Sequence, residues 1–383
     1  MSKLSNQRLL FPEKAVAGYL NGASRAPQLK SVAAAARHAL WWREEHAGMP
    51  IPAFFDDVRA VRTEFARLVN CQNYHRIAVM PSTSYGIATA AKNLPLTQGQ
   101  NIIVVEDQFP SNYYAWAKKC GETGAELRVV ARPEAGSTDS WSGRVLAAID
   151  HKTAAVAIAG VHWADGTVYD LSAIRTRTNE VDAWLIVDAT QSVGALPTDI
   201  EALRPDALCA GGYKWLMGPY GCGYAYFGER MDDGSPIEEN WINRAGSEDL
   251  RNLVNYRDDY RSLAGRYSVG QQSNFMMMPM QLAGLQQVNA WTPEAIQEYC
   301  AGLWSAVEPL LSKAGVQLPE ERAHHLIGLR LPKHIDATRL AEQIDRRGLL
   351  VSYRGDSMRV SPNCYNTVEE MAELAGAVLV SSR

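Results

Sequence analysis

No run of about 18 consecutive apolar residues occurs in the 383-residue chain, so the simplest signal of a membrane-spanning helix is missing. The first residues, MSKLSNQRLLFPEK, contain no secretory apolar core, and a cytoplasmic location is expected. Cysteine is sparse, six residues with no CxxC pair, which excludes a disulfide-dense scaffold and predicts reduced thiols packed as small apolar groups. An excess of basic charge is also lacking. Lys and Arg total 38 against 42 Asp and Glu, a formal net charge of −4, so no general attraction for nucleic acid or an anionic membrane is expected. There is no HExxH and no other His spacing that would bind a metal, no GxxxxGK[ST] phosphate loop and no GxGxxG opening a strand–helix turn. Repeats and low-complexity tracts are absent too.

What is present reads as an ordinary globular protein. At 46% hydrophobic and 21% charged residues, a chain of this length exceeds one comfortable core and predicts two domains. The division expected is an N-terminal arm over 1–18, a large domain over 19–270 opening with the loop Tyr19–Gly22, and a small C-terminal domain over 271–383. Residues 27–70 read as helical, and the pair Trp41 and Trp42 within them as packing. Short apolar runs follow at Ile102–Val105, Leu127–Val130, Ala154–Ala159, Trp184–Val187 and Leu208–Ala210. Val/Ile-rich runs without polar alternation fit strands buried on both faces, joined by helical crossovers into a mostly parallel sheet. Ligands of such sheets sit beyond the carboxyl ends of the strands. Helix-like segments at 276–290 and 294–313 lead to a smaller α/β unit with apolar runs near 326–331 and 349–352.

Two of the apolar runs end in reactive residues. Leu208–Ala210 runs into Gly211-Gly212-Tyr213-Lys214. Unless it is a surface lysine in a Gly-rich loop, a lysine among glycines and apolar residues is expected to be desolvated, which lowers its pKa and makes the amine a nucleophile. Trp184–Val187 runs into Asp188, with Gln191 three residues on. A buried carboxylate there needs a cation or several donors, unless it simply caps the helix near Ser192. In Pro81-Ser82-Thr83-Ser84-Tyr85-Gly86, hydroxyls precede an apolar helical run. That marks a helix N-terminus whose free N–H groups suit a phosphate, unless the hydroxyls serve only as a plain N-cap.

In order along the chain, PSTSYG (81–86), EDQFPSN (106–112), VDATQSVG (187–194), GGYKWLMGPYGCG (211–223) and MRVSPNCYNTVEE (358–370) resemble the class V aminotransferases. These are fold type I enzymes dependent on pyridoxal 5'-phosphate. The resemblance spans residues 19–375. It implies a large domain with a mostly parallel seven-stranded sheet between helices, a smaller C-terminal α/β domain, and a homodimer with shared sites. It further implies that Lys214 carries the cofactor as an imine and moves protons. Asp188 would pair with the pyridine nitrogen, Gln191 with the ring oxygen, and Thr83, Ser84 and Tyr213 with the phosphate. Phe109 would stack on the ring, and Arg359 would clamp the α-carboxylate of an amino-acid substrate.

Some positions depart from relatives. Gly211 stands where many have Ser, and Gln271 where a Thr often reaches the neighbouring subunit's phosphate. Trp163 stands where desulfurases have a substrate-touching Asn. Residues 349–358 hold no cysteine, whereas desulfurases carry a nucleophilic cysteine ahead of the carboxylate arginine. On these grounds the chain is expected to stand apart from the cysteine desulfurases. The reaction expected first is transamination. The alternatives are carbon–sulfur or carbon–carbon cleavage, epimerisation, or, remotely, a non-catalytic regulator. His162 is a candidate for substrate positioning or proton transfer, against ordinary packing. Trp163 and Asn21 are candidate substrate contacts, and Asp165-Gly166 reads as a turn.

Overall fold

The protein is described by a computed structural model covering residues 4–134, 137–355 and 357–382. Seven strands form one sheet: β1 (Ile77–Met80), β2 (Asn101–Val105), β3 (Glu126–Val130), β4 (Thr153–Ala159), β5 (Trp184–Asp188), β6 (Ala207–Gly211) and β7 (Gly223–Phe227). Their order is β1-β7-β6-β5-β4-β2-β3. Strands β2 to β6 pair in parallel, and β7 is antiparallel to both neighbours. This is the mostly parallel seven-stranded sheet anticipated.

Every residue of β2, β4, β5 and β6 is buried. Alternate residues feed different cores. Ile103, Val156, Leu185 and Leu208 pack on one face, while Ile102, Ala155, Ile186 and Cys209 pack on the other. Successive side chains on a strand point to opposite sides, so a continuous apolar run is what a sheet covered on both faces requires. The sequence reading missed β1 and β7. One is four residues long and stops at Pro81, and the other is Gly- and Tyr-rich, so neither shows a long aliphatic run.

The helix read over 27–70 is two helices, Lys30–Glu45 and Asp56–Leu68, separated by a 3-10 turn at Ile51–Phe54. Pro50 and Pro52 lack the N–H a continuous helix needs. Trp41 is half exposed and stacks on His38 rather than entering the core, which corrects its reading as packing.

The smaller unit holds β8 (Ile327–Arg330), β9 (Ser352–Arg354) and β10 (Ser357–Val360), antiparallel in the order β8-β10-β9. Helices Pro293–Lys313, Ala337–Arg346 and Val368–Ser381 close its own apolar core. The helix Met277–Trp291 packs instead on Lys30–Glu45 and Asp56–Leu68. Residues 20–22 join the smaller unit through Leu20 N–H to the Leu350 carbonyl and Gly22 N–H to the Ser361 carbonyl, each 3.0 Å.

Strand directions decide where a site can form. Two antiparallel pairings in series turn β1 back to the direction of β6. The carboxyl ends of β1, β2, β4, β5 and β6 therefore open on one edge of the sheet, and β7 enters from that edge. Among the described residues, no helix is long and apolar enough to cross a membrane, and no group of three or more His, Cys, Asp or Glu could hold a metal ion.

Candidate active site

A cavity of about 190 Å³ lies at this edge. Thr83, Ser84, Phe109 and Trp163 line it, together with Asp188, Gln191, Tyr213 and Lys214. Asn21, His162, Gln271 and Arg359 lie outside the lining.

Lys214 leaves the end of β6 and is buried. Its Nζ lies 5.5 Å from the Tyr213 ring centroid and 5.9 Å from that of Phe109. No hydrogen bond to this amine is present among the described residues. Burial lowers its pKa from 10.5 to about 8; the Asp188 carboxylate opposes the shift, and Arg359 and Arg354 reinforce it. The neutral amine is the form that attacks an aldehyde, so reactivity rises as pH climbs through about 8 and then levels off. Imine formation between the apoprotein and an aromatic aldehyde, followed by absorbance, should show this midpoint. A midpoint near the ordinary lysine value would show that Lys214 is not desolvated.

Asp188 closes β5 and is buried. Burial pushes its carboxyl upward, while Thr190 and Lys214 pull it down. Its Oδ1 accepts the Thr190 N–H at 3.0 Å. A buried carboxylate placed on this cavity with so little compensation calls for a cationic partner in that cavity.

Helix Thr83–Asn93 begins at the same edge. Ser82 Oγ caps it by accepting the Tyr85 N–H at 3.2 Å. Thr83 Oγ1 and Thr190 Oγ1 are 2.9 Å apart. Gly86 lets this helix approach the sheet, because a Cβ there would stand 2.7 Å from Cys209 Sγ. Gly211 has a similar explanation. A Cβ at that position would sit 3.0 Å from the Tyr213 ring, so the serine of relatives would crowd this tyrosine.

A desolvated amine, a buried carboxylate and a helix N-terminus on one cavity fit pyridoxal phosphate. The amine suits its aldehyde carbon, the carboxylate its ring nitrogen, and the helix end its phosphate.

Arg359 lies on β10 and is almost fully buried. Its Nη1 donates to the Trp163 carbonyl at 2.9 Å, Nη2 to Ser24 Oγ at 2.7 Å, and Nε to Ser352 Oγ at 3.1 Å. Burial, then Arg354, lowers its pKa to about 10, so it stays charged at neutral pH. Ser24 Oγ in turn donates to Asn21 Oδ1 at 2.8 Å. Asn21 therefore reaches the site only through Ser24 and Arg359. Nothing in the sequence pointed to Ser24 or Ser352, which meet Arg359 only through the tertiary fold.

Gln191 lines the cavity, but its carboxamide is already engaged, donating to the Ala23 carbonyl at 3.1 Å and accepting from Trp215 Nε1 at 2.9 Å. Gln271 lines an adjoining cavity that shares Pro81, Gly221 and Cys222 with the first. His162 is fully buried, with Nδ1 2.9 Å from Asp165 Oδ1 and Nε2 3.2 Å from the Asp107 carbonyl. Both ring nitrogens are thus engaged away from the cavity, which argues against proton transfer. Ser111, Thr190, Tyr220 and Cys222 also line the cavity and were not singled out from sequence. Thr190 was discoverable, since a hydroxyl two residues past a buried strand-end Asp commonly supports it.

A family model described as "Aminotransferase class-V" matches residues 19–374. The chain is 24% identical over 314 residues to the uncharacterized aminotransferase YcbU of Bacillus subtilis, covering 81% of this chain and 80% of that protein. It is 26% identical over 345 residues to a cysteine desulfurase of Pectobacterium atrosepticum, covering 87% and 82%. The apo structure of a cysteine desulfurase from Thermococcus onnurineus NA1 superposes with a TM-score of 0.83 at 18% identity, covering 99% of both chains. These likenesses overturn the expectation that the chain stands apart from the cysteine desulfurases. That expectation rested on a few positions, chiefly the missing cysteine at 349–358, whereas the likeness to proteins of that name runs through most of the chain.

Proposed function

Because this chain belongs to the class-V aminotransferase family, and is a fold type I enzyme that binds pyridoxal phosphate, we propose that it breaks the Cβ–S bond of a sulfur-bearing amino acid. The desulfurase-type likeness over 345 residues carries the choice of bond and favours cleavage over the transamination expected first. The Lys214–Asp188 pair on one cavity supports chemistry at Cα.

When bound, the cofactor supplies an electron sink for the charge that develops at Cα. The protein's own groups do the rest. Lys214 would hold the cofactor and, as a neutral amine, would take the proton from Cα. Asp188 would keep the ring nitrogen protonated. The N-terminus of helix Thr83–Asn93 anchors the phosphate, with Thr83, Ser84 and Tyr213 beside it. Gln191, whose amide nitrogen keeps one N–H beyond its bond to the Ala23 carbonyl, would donate to the ring oxygen. Arg359 receives the α-carboxylate, and its fork is held flat by Ser24, Ser352 and the Trp163 carbonyl. Trp163 and Phe109 meet edge to face at 5.4 Å and exclude water from the reacting carbon. Cys222 is the one cysteine on the cavity among the described residues, and burial pushes its thiol up to about 12. It stays protonated, so the sulfur would leave either to a thiol from solution, giving a persulfide and alanine, or as sulfide, with pyruvate and ammonia as the balancing products. A homodimer belongs to the same reading, and the position of Gln271 outside its own chain's cavity supports a role across a subunit boundary.

Incubation of the holoenzyme with cysteine and cystine tests the proposal. Released sulfide or persulfide, accompanied by alanine or pyruvate, is the expected product set. Accumulation of the aminated cofactor with an oxo acid that retains its sulfur would instead identify transamination.

A further inference from the structure

The turn that carries Phe109 is supported from behind by a buried polar chain that the proposed chemistry does not use. Beyond β2, Asp107 adopts a left-handed backbone with φ +52°. Asp is one of the few residues with a Cβ that enter this region, with only modest strain. Two groups converge on its carbonyl: Trp163 Nε1 donates at 2.7 Å, and His162 Nε2 lies at 3.2 Å. Trp163 lines the cavity, but His162 is fully buried behind it and has its own support. His162 Nδ1 pairs with Asp165 Oδ1 at 2.9 Å, an oxygen that also accepts the Thr167 N–H at 3.0 Å. The other Asp165 oxygen pairs with Arg132. The Arg132 guanidinium lies 4.4 Å from the Trp141 ring centroid, and that ring is 5.0 Å from His162. Burial alone would raise the Asp165 carboxyl; His162 and Arg132 hold it well below the usual carboxylate range.

Burying an Arg–Asp–His chain costs desolvation and adds little net stability. What it holds in place is therefore informative. Its free end meets the carbonyl two residues before Phe109, the ring nearest to Lys214 along with Tyr213. The smaller unit reinforces the arrangement, because Gly328 N–H donates to the Asp165 carbonyl at 2.9 Å. Gly166, at φ +81°, lies so close to Leu326 that a Cβ would be 1.9 Å from its carbonyl oxygen.

We propose that His162 is a positioning residue: anchored by Asp165 and Arg132, it holds the Asp107 carbonyl and so sets the seat of Phe109 against the bound cofactor. This rests on the reading that the cavity holds the cofactor with Phe109 on its ring, but not on which bond the enzyme breaks. The role is distinct from proton transfer, since neither nitrogen faces the cavity.

Two substitutions separate the ends of the chain. In His162→Asn the amide nitrogen replaces Nδ1 and keeps Asp165 while losing the Asp107 carbonyl. In His162→Gln the amide nitrogen replaces Nε2 and keeps the carbonyl. The readout is the visible circular dichroism of the bound cofactor, which reports ring orientation without substrate, followed by kcat and KM. His162→Asn is expected to change the dichroism and lower kcat by about 10-fold to 100-fold, the range for a misplaced reacting group. His162→Gln is expected to restore the signal and most of kcat. An unchanged signal in His162→Asn, or equal loss in both variants, overturns the proposal. Should His162→Asn not fold, Trp163→Phe removes the companion donor to the same carbonyl. It is expected to alter the dichroism in the same sense, and no alteration overturns the proposal equally. Failure to cleave a carbon–sulfur bond would leave these spectra unaffected, so the two readings fail separately.

Discussion

Replacing Lys214 with alanine lowers turnover by about three orders of magnitude or more, because one substitution removes both the covalent anchor and the proton carrier. Borohydride reduction of the wild-type holoenzyme fixes label on Lys214; the variant takes none. A companion stability effect has a definite sign. The amine titrates at about 8 in the folded chain instead of 10.5. The difference, 10.5 − 8, is about 2.5 pH units, a penalty of roughly 3 kcal/mol. Because the folded pKa lies below the unfolded one, the folded state binds fewer protons between the two values. Stability therefore rises with pH across that window, and the penalty is fully present below about 8. Lys214→Met, which keeps the apolar stem, should make the apoprotein more resistant to heat at pH 7, with the advantage shrinking toward pH 10. Equal melting temperatures at pH 7 would show that the amine is solvated. Retained turnover in the alanine variant would remove the basis of the mechanism.

Asp188→Asn lowers kcat by about 100-fold or more. The amide is nearly isosteric and can still accept the Thr190 N–H now held at 3.0 Å, so the loss reports charge rather than shape. A neutral amide cannot hold a proton on the ring nitrogen, and an unprotonated ring is a poor electron sink. Cofactor affinity should fall in parallel, since a buried carboxylate loses its one strong compensating partner when the ring leaves. Steady-state kinetics and cofactor titration measure the two effects. A variant within a few-fold of wild type on both would show that Asp188 does not face the ring.

Much of the site was legible because its parts adjoin regular structure. Lys214 and Asp188 follow apolar strand runs, and the N-terminus of helix Thr83–Asn93 is announced by Pro81 to Gly86. Each signal is local, spanning a few residues. Arg359 was readable only through resemblance, since an arginine in MRVSP carries no mark of burial by itself. Ser24 and Ser352 were not readable, because contact with Arg359 depends on how the smaller unit docks. The helix over 27–70 failed for a local reason, two prolines that periodicity outweighed. The separation from desulfurases failed for another: a single missing cysteine says little about a likeness carried by hundreds of positions.

From its residues alone, this chain declares a doubly covered sheet with a lysine among glycines and an aspartate placed just past apolar strand runs. Those features depend on side-chain alternation and on what stands at a strand's end, and both are written in short segments. Only the folded chain decided that His162 meets the Asp107 carbonyl instead of facing the cavity, and that Arg359 is gripped by Ser24 and Ser352. Those outcomes depend on contacts between segments up to 335 positions apart, where strand order and the docking of the smaller unit select the neighbours.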